Sequence, residues 1–159
     1  MSHYLVDQLK FVRNSTLDYV KDIDERYLDV IPSTMNNNIK WNLGHTYLVT
    51  EIFAFQLTGE ETNIPTVFPE LFKPGTSPRD WSIEAPRKEE LLFLLNEQRV
   101  KVESLSTERI EESINEMYTT STGLEINTVK ECLSFCLYHE GMHFGAIKSI
   151  YQQISKINS

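Results

Sequence analysis

Apolar residues recur at Leu5, Leu9, Val12, Tyr19, Val20 and Ile23, with Thr16 on the same stripe, close to a 3.6-residue period. This predicts a first helix over about residues 2–23, with Ser2 as its N-cap. Ile31-Pro32 and the run Asn36-Asn37-Asn38 break the pattern, and the asparagines can cap a second helix over about 39–57 that Gly59 stops. Five prolines then fall at 65, 69, 74, 78 and 86, which excludes a long helix between 60 and 86. That segment also carries Phe68, Phe72 and Trp81, so it should pack onto the protein. A third helix opens with Pro86 in its first turn and runs through Leu91, Leu92, Leu95, Arg99 and Val102 to about residue 105. Thr107 to Ile110 reads as a capped turn, and β-branched residues around Gly123, from Met117 to Ile126, as a small hairpin or extended connection. Thr128-Val129-Lys130-Glu131 is a capping box for a fourth helix, with the stripe Val129, Cys132, Leu133, Cys136, His139, Met142, His143, Ile147 and Ile150.

Four amphipathic helices without a convincing sheet predict an all-α protein, a four-helix bundle, in one domain over residues 1–159. The long connection between the second and third helices argues against simple up-down-up-down order. No apolar run is long enough to span a membrane, and the N-terminus lacks a signal-peptide pattern, so a cytoplasmic protein without membrane contact is expected. A net charge of −8, with acidic residues scattered along the chain, disfavours nucleic acid, whose binding needs clustered Lys and Arg. Cys132 and Cys136 stand i and i+4 on one predicted helix, a poor geometry for a disulfide, and read as reduced core thiols.

The chemistry concentrates in His139-Glu140-Gly141-Met142-His143. Two imidazoles at i and i+4 share one helix face and can hold one metal ion. The string matches the H-E-x-x-H pattern of zinc peptidases, but residues 144–159 contain no His, Asp, Glu or Cys to complete such a site. A third protein ligand therefore has to come from earlier in the chain, and His45 in Trp41-Asn42-Leu43-Gly44-His45 is the candidate. Three imidazoles on one ion leave a coordination position open, the pattern of a reactive site. The alternative for any one buried histidine is a hydrogen-bonded core residue; two on one apolar stripe are harder to satisfy separately. Glu140 is the candidate catalytic residue, as a base or a supporting group, although its side chain diverges from that of His139 by about 100° and could equally be a solvated or dimer-face carboxylate. Gly44 and Gly141 read as clearance for close approach of the second and fourth helices, and His3 as a solvated residue.

Trp41-Asn42-Leu43-Gly44-His45 together with Tyr138-His139-Glu140-Gly141-Met142-His143-Phe144-Gly145-Ala146-Ile147 resembles the DinB/YfiT-like superfamily. With the helix order and the long central crossover, the resemblance covers nearly the whole chain. It implies an up-down-down-up four-helix bundle, often dimeric, with a divalent ion such as zinc or nickel on three histidines. Here these are His45, His139 and His143. Some members are S-transferases or isomerases that use bacillithiol or mycothiol, so the resemblance implies a metal-dependent enzyme acting on a small-molecule substrate, in its most concrete form with a low-molecular-weight thiol. Metal-dependent hydrolysis and a non-catalytic metal-binding or stress-response module are the alternatives. A homodimer could form through Phe53, Phe55 and Leu94, if these are exposed. Segment 60–86 is expected either to wall the metal pocket or to plug the end of the core.

Overall fold

A computed structural model describes residues 3–157, which are mostly helical with one small two-stranded sheet. The first helix, α1, spans Tyr4–Lys21. The residue expected to cap it, Ser2, lies outside the described residues, and His3 takes the role: its Nδ1 accepts from the Leu5 N–H at 3.2 Å. The other His3 nitrogen lies 3.4 Å from Glu111, and the side chain is 9% exposed, which corrects the expectation of a solvated residue. A short α2 (Glu25–Leu28) precedes α3 (Ile39–Thr50), whose N-terminus is capped by Asn38 Oδ1 accepting from the Trp41 N–H at 2.7 Å.

Every residue of α3 is buried, which explains why its sequence mixes apolar and polar side chains over all faces. The helix does not continue to residue 57 in α form. It passes into a π-helix over Glu51–Gln56, with i to i−5 bonds extended by Leu57 N–H to Ile52 O and Glu60 N–H to Phe55 O, both 2.8 Å. The looser winding brings Glu51, Phe53, Ala54 and Phe55 inward together, so Phe53 and Phe55 are core residues and not the exposed dimer contact expected of them. Leu94 is only partly exposed and packs on the core. Gly59, at φ +81°, then reverses the chain.

The proline-rich segment holds α4 (Phe68–Phe72) and a single 3₁₀ turn at Pro78–Asp80. The next helix, α5, spans Lys88–Glu103, so Pro86 lies just outside it and not in its first turn. After α6 (Thr107–Ile110), β1 (Ser113–Thr119) and β2 (Glu125–Thr128) form an antiparallel hairpin with Tyr118 opposite Ile126. The last helix, α7, spans Val129–Ile157. Its capping box forms in both directions: Thr128 Oγ1 accepts from Glu131 N–H at 3.3 Å, and Glu131 Oε2 accepts from Thr128 N–H at 3.0 Å.

The helices α1 and α3 each pack against both α5 and α7. Between them lie two apolar clusters, one around Leu43, Phe68, Phe72, Leu91, Leu95 and Ile150, the other around Leu9, Phe55, Val102, Ile126 and Leu133. Cys132 and Cys136 are buried free thiols in the second cluster. Burial pushes the Cys132 thiol up to about 11 and raises that of Cys136 as well, so both stay protonated at neutral pH. No described helix is long and apolar enough to cross a membrane.

Candidate metal centre

Close packing of α3 on α7 brings His45 to His139 and His143. Each offers a ring nitrogen, and the three nitrogens lie within 4.8 Å of one another, the one such group of potential ligands among the described residues. His45 and His139 are buried, and His143 is half-buried.

The far side of two rings is fixed. His45 Nδ1 lies 2.6 Å from the carbonyl oxygen of Phe72, which can only accept, so Nδ1 carries the proton and Nε2 presents a lone pair. Asn42 donates its amide to Asn38 O at 2.8 Å, which turns its Oδ1 toward His143 Nδ1 at 2.7 Å. That again places the proton on Nδ1 and the lone pair on Nε2. His45 Nε2 and His139 Nε2 stand 3.1 Å apart. Two nitrogens on a tetrahedral ion with arms of ~2.0–2.1 Å would stand about 3.3–3.4 Å apart, so the spacing already suits a shared ion. The donor set, three neutral imidazoles with two held in the required tautomer by outer hydrogen bonds, fits a divalent metal ion.

Burial keeps these rings uncharged. It lowers His139 to about 3, with help from the neighbouring His143 and His45, and lowers His143 to about 4, with help from His45. His45 is lowered by burial too, against the opposing pull of its bond to the Phe72 carbonyl. Neutral rings near pH 7 have their lone pairs free for a cation. Aromatic faces shield the group: Trp41 stacks on His45 at 4.4 Å between centroids, and Phe135 stacks on His139 at 5.9 Å.

The two glycines do not share a role. A Cβ on Gly44 would lie 2.5 Å from the Phe72 ring, whereas one on Gly141 would meet nothing within 4 Å. Gly44 thus admits Phe72, not α7, and that approach brings the Phe72 carbonyl to His45. Phe68 and Phe72 are fully buried in the core, and half-buried Trp81 meets Phe72 edge-on at 5.7 Å while donating its indole N–H to Leu71 O at 3.0 Å. The proline-rich segment therefore plugs the core, and through one backbone carbonyl it also serves the histidine cluster.

Glu140 stands apart from the three ligand groups. Its carboxylate is 2% exposed and takes Arg13 of α1 on both oxygens, from Nε at 2.6 Å and Nη2 at 2.9 Å. This overturns the solvated and dimer-face readings of Glu140. Sequence reasoning also passed over Arg13, although it follows Leu9 by four positions and precedes Thr16 by three, on the buried stripe of α1. Asn42 lay inside a motif already singled out, yet without a task.

The model of the DinB superfamily matches residues 8–147, a span that includes His45, His139 and His143. The chain belongs to the DinB superfamily. Among solved structures, this DinB-superfamily chain is similar to a conserved protein from Enterococcus faecalis, at 13% identity over 96% of this chain and 94% of that one, with a TM-score of 0.62. At that identity the likeness shows a shared fold alone. No curated protein matches the chain.

Proposed function

We propose that this protein binds one divalent ion, zinc or nickel, on His45, His139 and His143 and is a metal-dependent enzyme, most concretely a bacillithiol-type thiol S-transferase acting on a small-molecule substrate. The observation that carries the reading is the convergence of three uncharged imidazoles, two with their outer nitrogens occupied by Phe72 O and Asn42 Oδ1. Three protein ligands leave a further position, which distinguishes reactive sites from closed structural ones. When bound, the ion supplies Lewis acidity that favours the thiolate form of a thiol. The chain itself supplies orientation and dryness: Phe72 O and Asn42 hold the ring tautomers, and Trp41 and Phe135 cover two of the rings. Glu140 has both oxygens engaged by Arg13, so a role as general base is not part of this reading.

The same reading takes the chain as a single domain, with α1, α3, α5 and α7 as an up-down-down-up bundle, supported by the packing of α1 and α3 on both α5 and α7. A homodimer is part of the same reading, with the exposed aromatic side chains of Phe11 on α1 and Tyr138 on α7 as candidate contacts. A cytoplasmic setting is part of the same reading. The test is metal analysis of protein purified without a nickel column, followed by a transfer panel with bacillithiol, mycothiol and electrophilic acceptors. The expected result is one equivalent of zinc or nickel per chain and thiol-dependent turnover that disappears in His143→Ala. Turnover without thiol would assign hydrolysis instead. A fully loaded protein inert in both assays would leave a non-catalytic metal-binding module.

A further inference from the structure

We propose that Arg13 and Glu140 are positioning residues for the metal centre, the core of a buried polar clamp that fixes how α7 and α3 are turned toward each other. The inference rests on reading His45, His139 and His143 as the ligand set.

The clamp is continuous and crosses every long helix. From α7, Glu140 takes Arg13 of α1 on both oxygens. Arg13 Nη1 also donates to Leu95 O of α5 at 2.6 Å, and Nη2 to Gln98 Oε1 at 3.0 Å. The Gln98 amide nitrogen then donates to Tyr47 O at 3.0 Å and to Glu51 Oε1 at 2.8 Å, at the end of α3 and the start of the π-helix. Glu51 Oε2 is taken in turn by the Asn63 N–H at 2.9 Å. Arg13, Gln98, Glu51 and Glu140 are each at most 4% exposed.

One end of this network and one of its branches lie beside metal-site histidines. Glu140 is adjacent to His139 and three residues before His143, and Tyr47 is two residues after His45. Because successive side chains on a helix diverge by about 100°, a carboxylate held on one side of α7 sets the direction of the imidazoles on the next. The leverage is large: a turn of about 10° moves a group at the ~5–6 Å outer radius of a helix by roughly 1 Å. Metal ligands tolerate errors of only about 0.2 Å. A two-pronged Arg–carboxylate pair constrains such a rotation in both distance and plane. The π-helix belongs to the same arrangement, since its winding places Glu51 inside the core, where Gln98 reaches it.

The test separates positioning from mere stability. Replacing a whole buried ion pair by apolar residues of similar volume is often neutral for folding, so Arg13→Met/Glu140→Leu should remain helical, with a melting temperature lowered only by the lost bonds to Leu95 O and Gln98 Oε1. Zinc alone and cobalt(II) alone are the probes. The double variant is expected to bind zinc about tenfold more weakly, the scale of losing an outer-shell partner, and to show an altered cobalt visible spectrum. Unchanged zinc affinity and cobalt spectrum in a folded double variant would overturn the clamp. Should that variant fail to fold, Glu140→Gln keeps the shape and serves instead: a smaller loss of the same sign is expected, and parent-like zinc affinity overturns the proposal. A parent that takes up no cobalt, or takes it up equally well after His143→Ala, refutes the metal site and the clamp with it. A parent that binds through His143 alongside unchanged clamp variants refutes the clamp alone.

Discussion

Two adjacent residues of α7 face opposite kinds of interior. On the side of His139, three uncharged rings bring a nitrogen each together, with the lone pairs of His45 and His143 fixed on Nε2 and His45 Nε2 3.1 Å from His139 Nε2. On the side of Glu140, both carboxylate oxygens are bonded to a guanidinium that is itself bonded to Leu95 O and Gln98. Buried polar groups are ordinarily satisfied, as around Glu140, because leaving one unpaired costs about 1–3 kcal/mol. The histidine side instead gathers three ring nitrogens within 4.8 Å of one another, an arrangement that could hold a metal ion. The contrast also separates two residues that one short motif presents as a unit: His139 joins a cluster of ring nitrogens, and Glu140 is held by Arg13.

The largest difference between the two sides should appear on deletion. His143→Ala removes a ligand, and the expected loss of zinc affinity in chelator competition exceeds the 10–100-fold cost of removing an outer partner, with little change in the apo fold. Arg13→Ala should act first on folding: leaving Glu140 buried without its cation is expected to destabilise the protein by about 3–5 kcal/mol in urea denaturation, a larger effect than the weakened zinc binding expected from loss of the clamp. Equal loss of stability in both variants would erase the distinction. Gly44→Ala touches the histidine side through packing. The new methyl would meet the Phe72 ring, with an expected cost of about 1–3 kcal/mol, and displacement of the Phe72 carbonyl should weaken zinc binding together with stability.

Smaller effects sharpen the comparison. Asn42→Ala releases the His143 tautomer and should weaken zinc binding about tenfold, with a loss of urea stability of about 1–3 kcal/mol, below that of Arg13→Ala. The metal-free protein should also lose stability in acid. His139 is held at about 3 and His143 at about 4, below the ordinary 6.5, so the unfolded chain takes up protons first. Their contribution is fully present above about pH 6.5 and falls as pH drops toward 4 and then 3. His139→Ala should flatten that slope in apo protein, and an unchanged slope would place the acid sensitivity elsewhere.

Much of this was legible in the sequence, and what was not has physical reasons. The capping box at Thr128 to Glu131 and the stripe through Cys136, His139 and His143 locate α7, because both signals are local. The absence of a downstream ligand pointed to His45. The π-helix at Glu51–Gln56 was not legible, since its winding is set by the tertiary burial of Glu51 and Phe55 and not by local propensity. Arg13 pairs with a carboxylate 127 positions away, a relation that periodicity cannot express. The carbonyl that holds His45 is backbone, so Phe72 shows only a ring to sequence reading.

X-ray absorption at the metal edge of zinc-loaded protein reads the ligand set itself. The account predicts a first shell containing three imidazole nitrogens at ~2.0–2.1 Å, reduced by one in His143→Ala. A shell with sulfur at ~2.3 Å from Cys132 or Cys136 in thiol-free buffer, or one of oxygens alone, would contradict it.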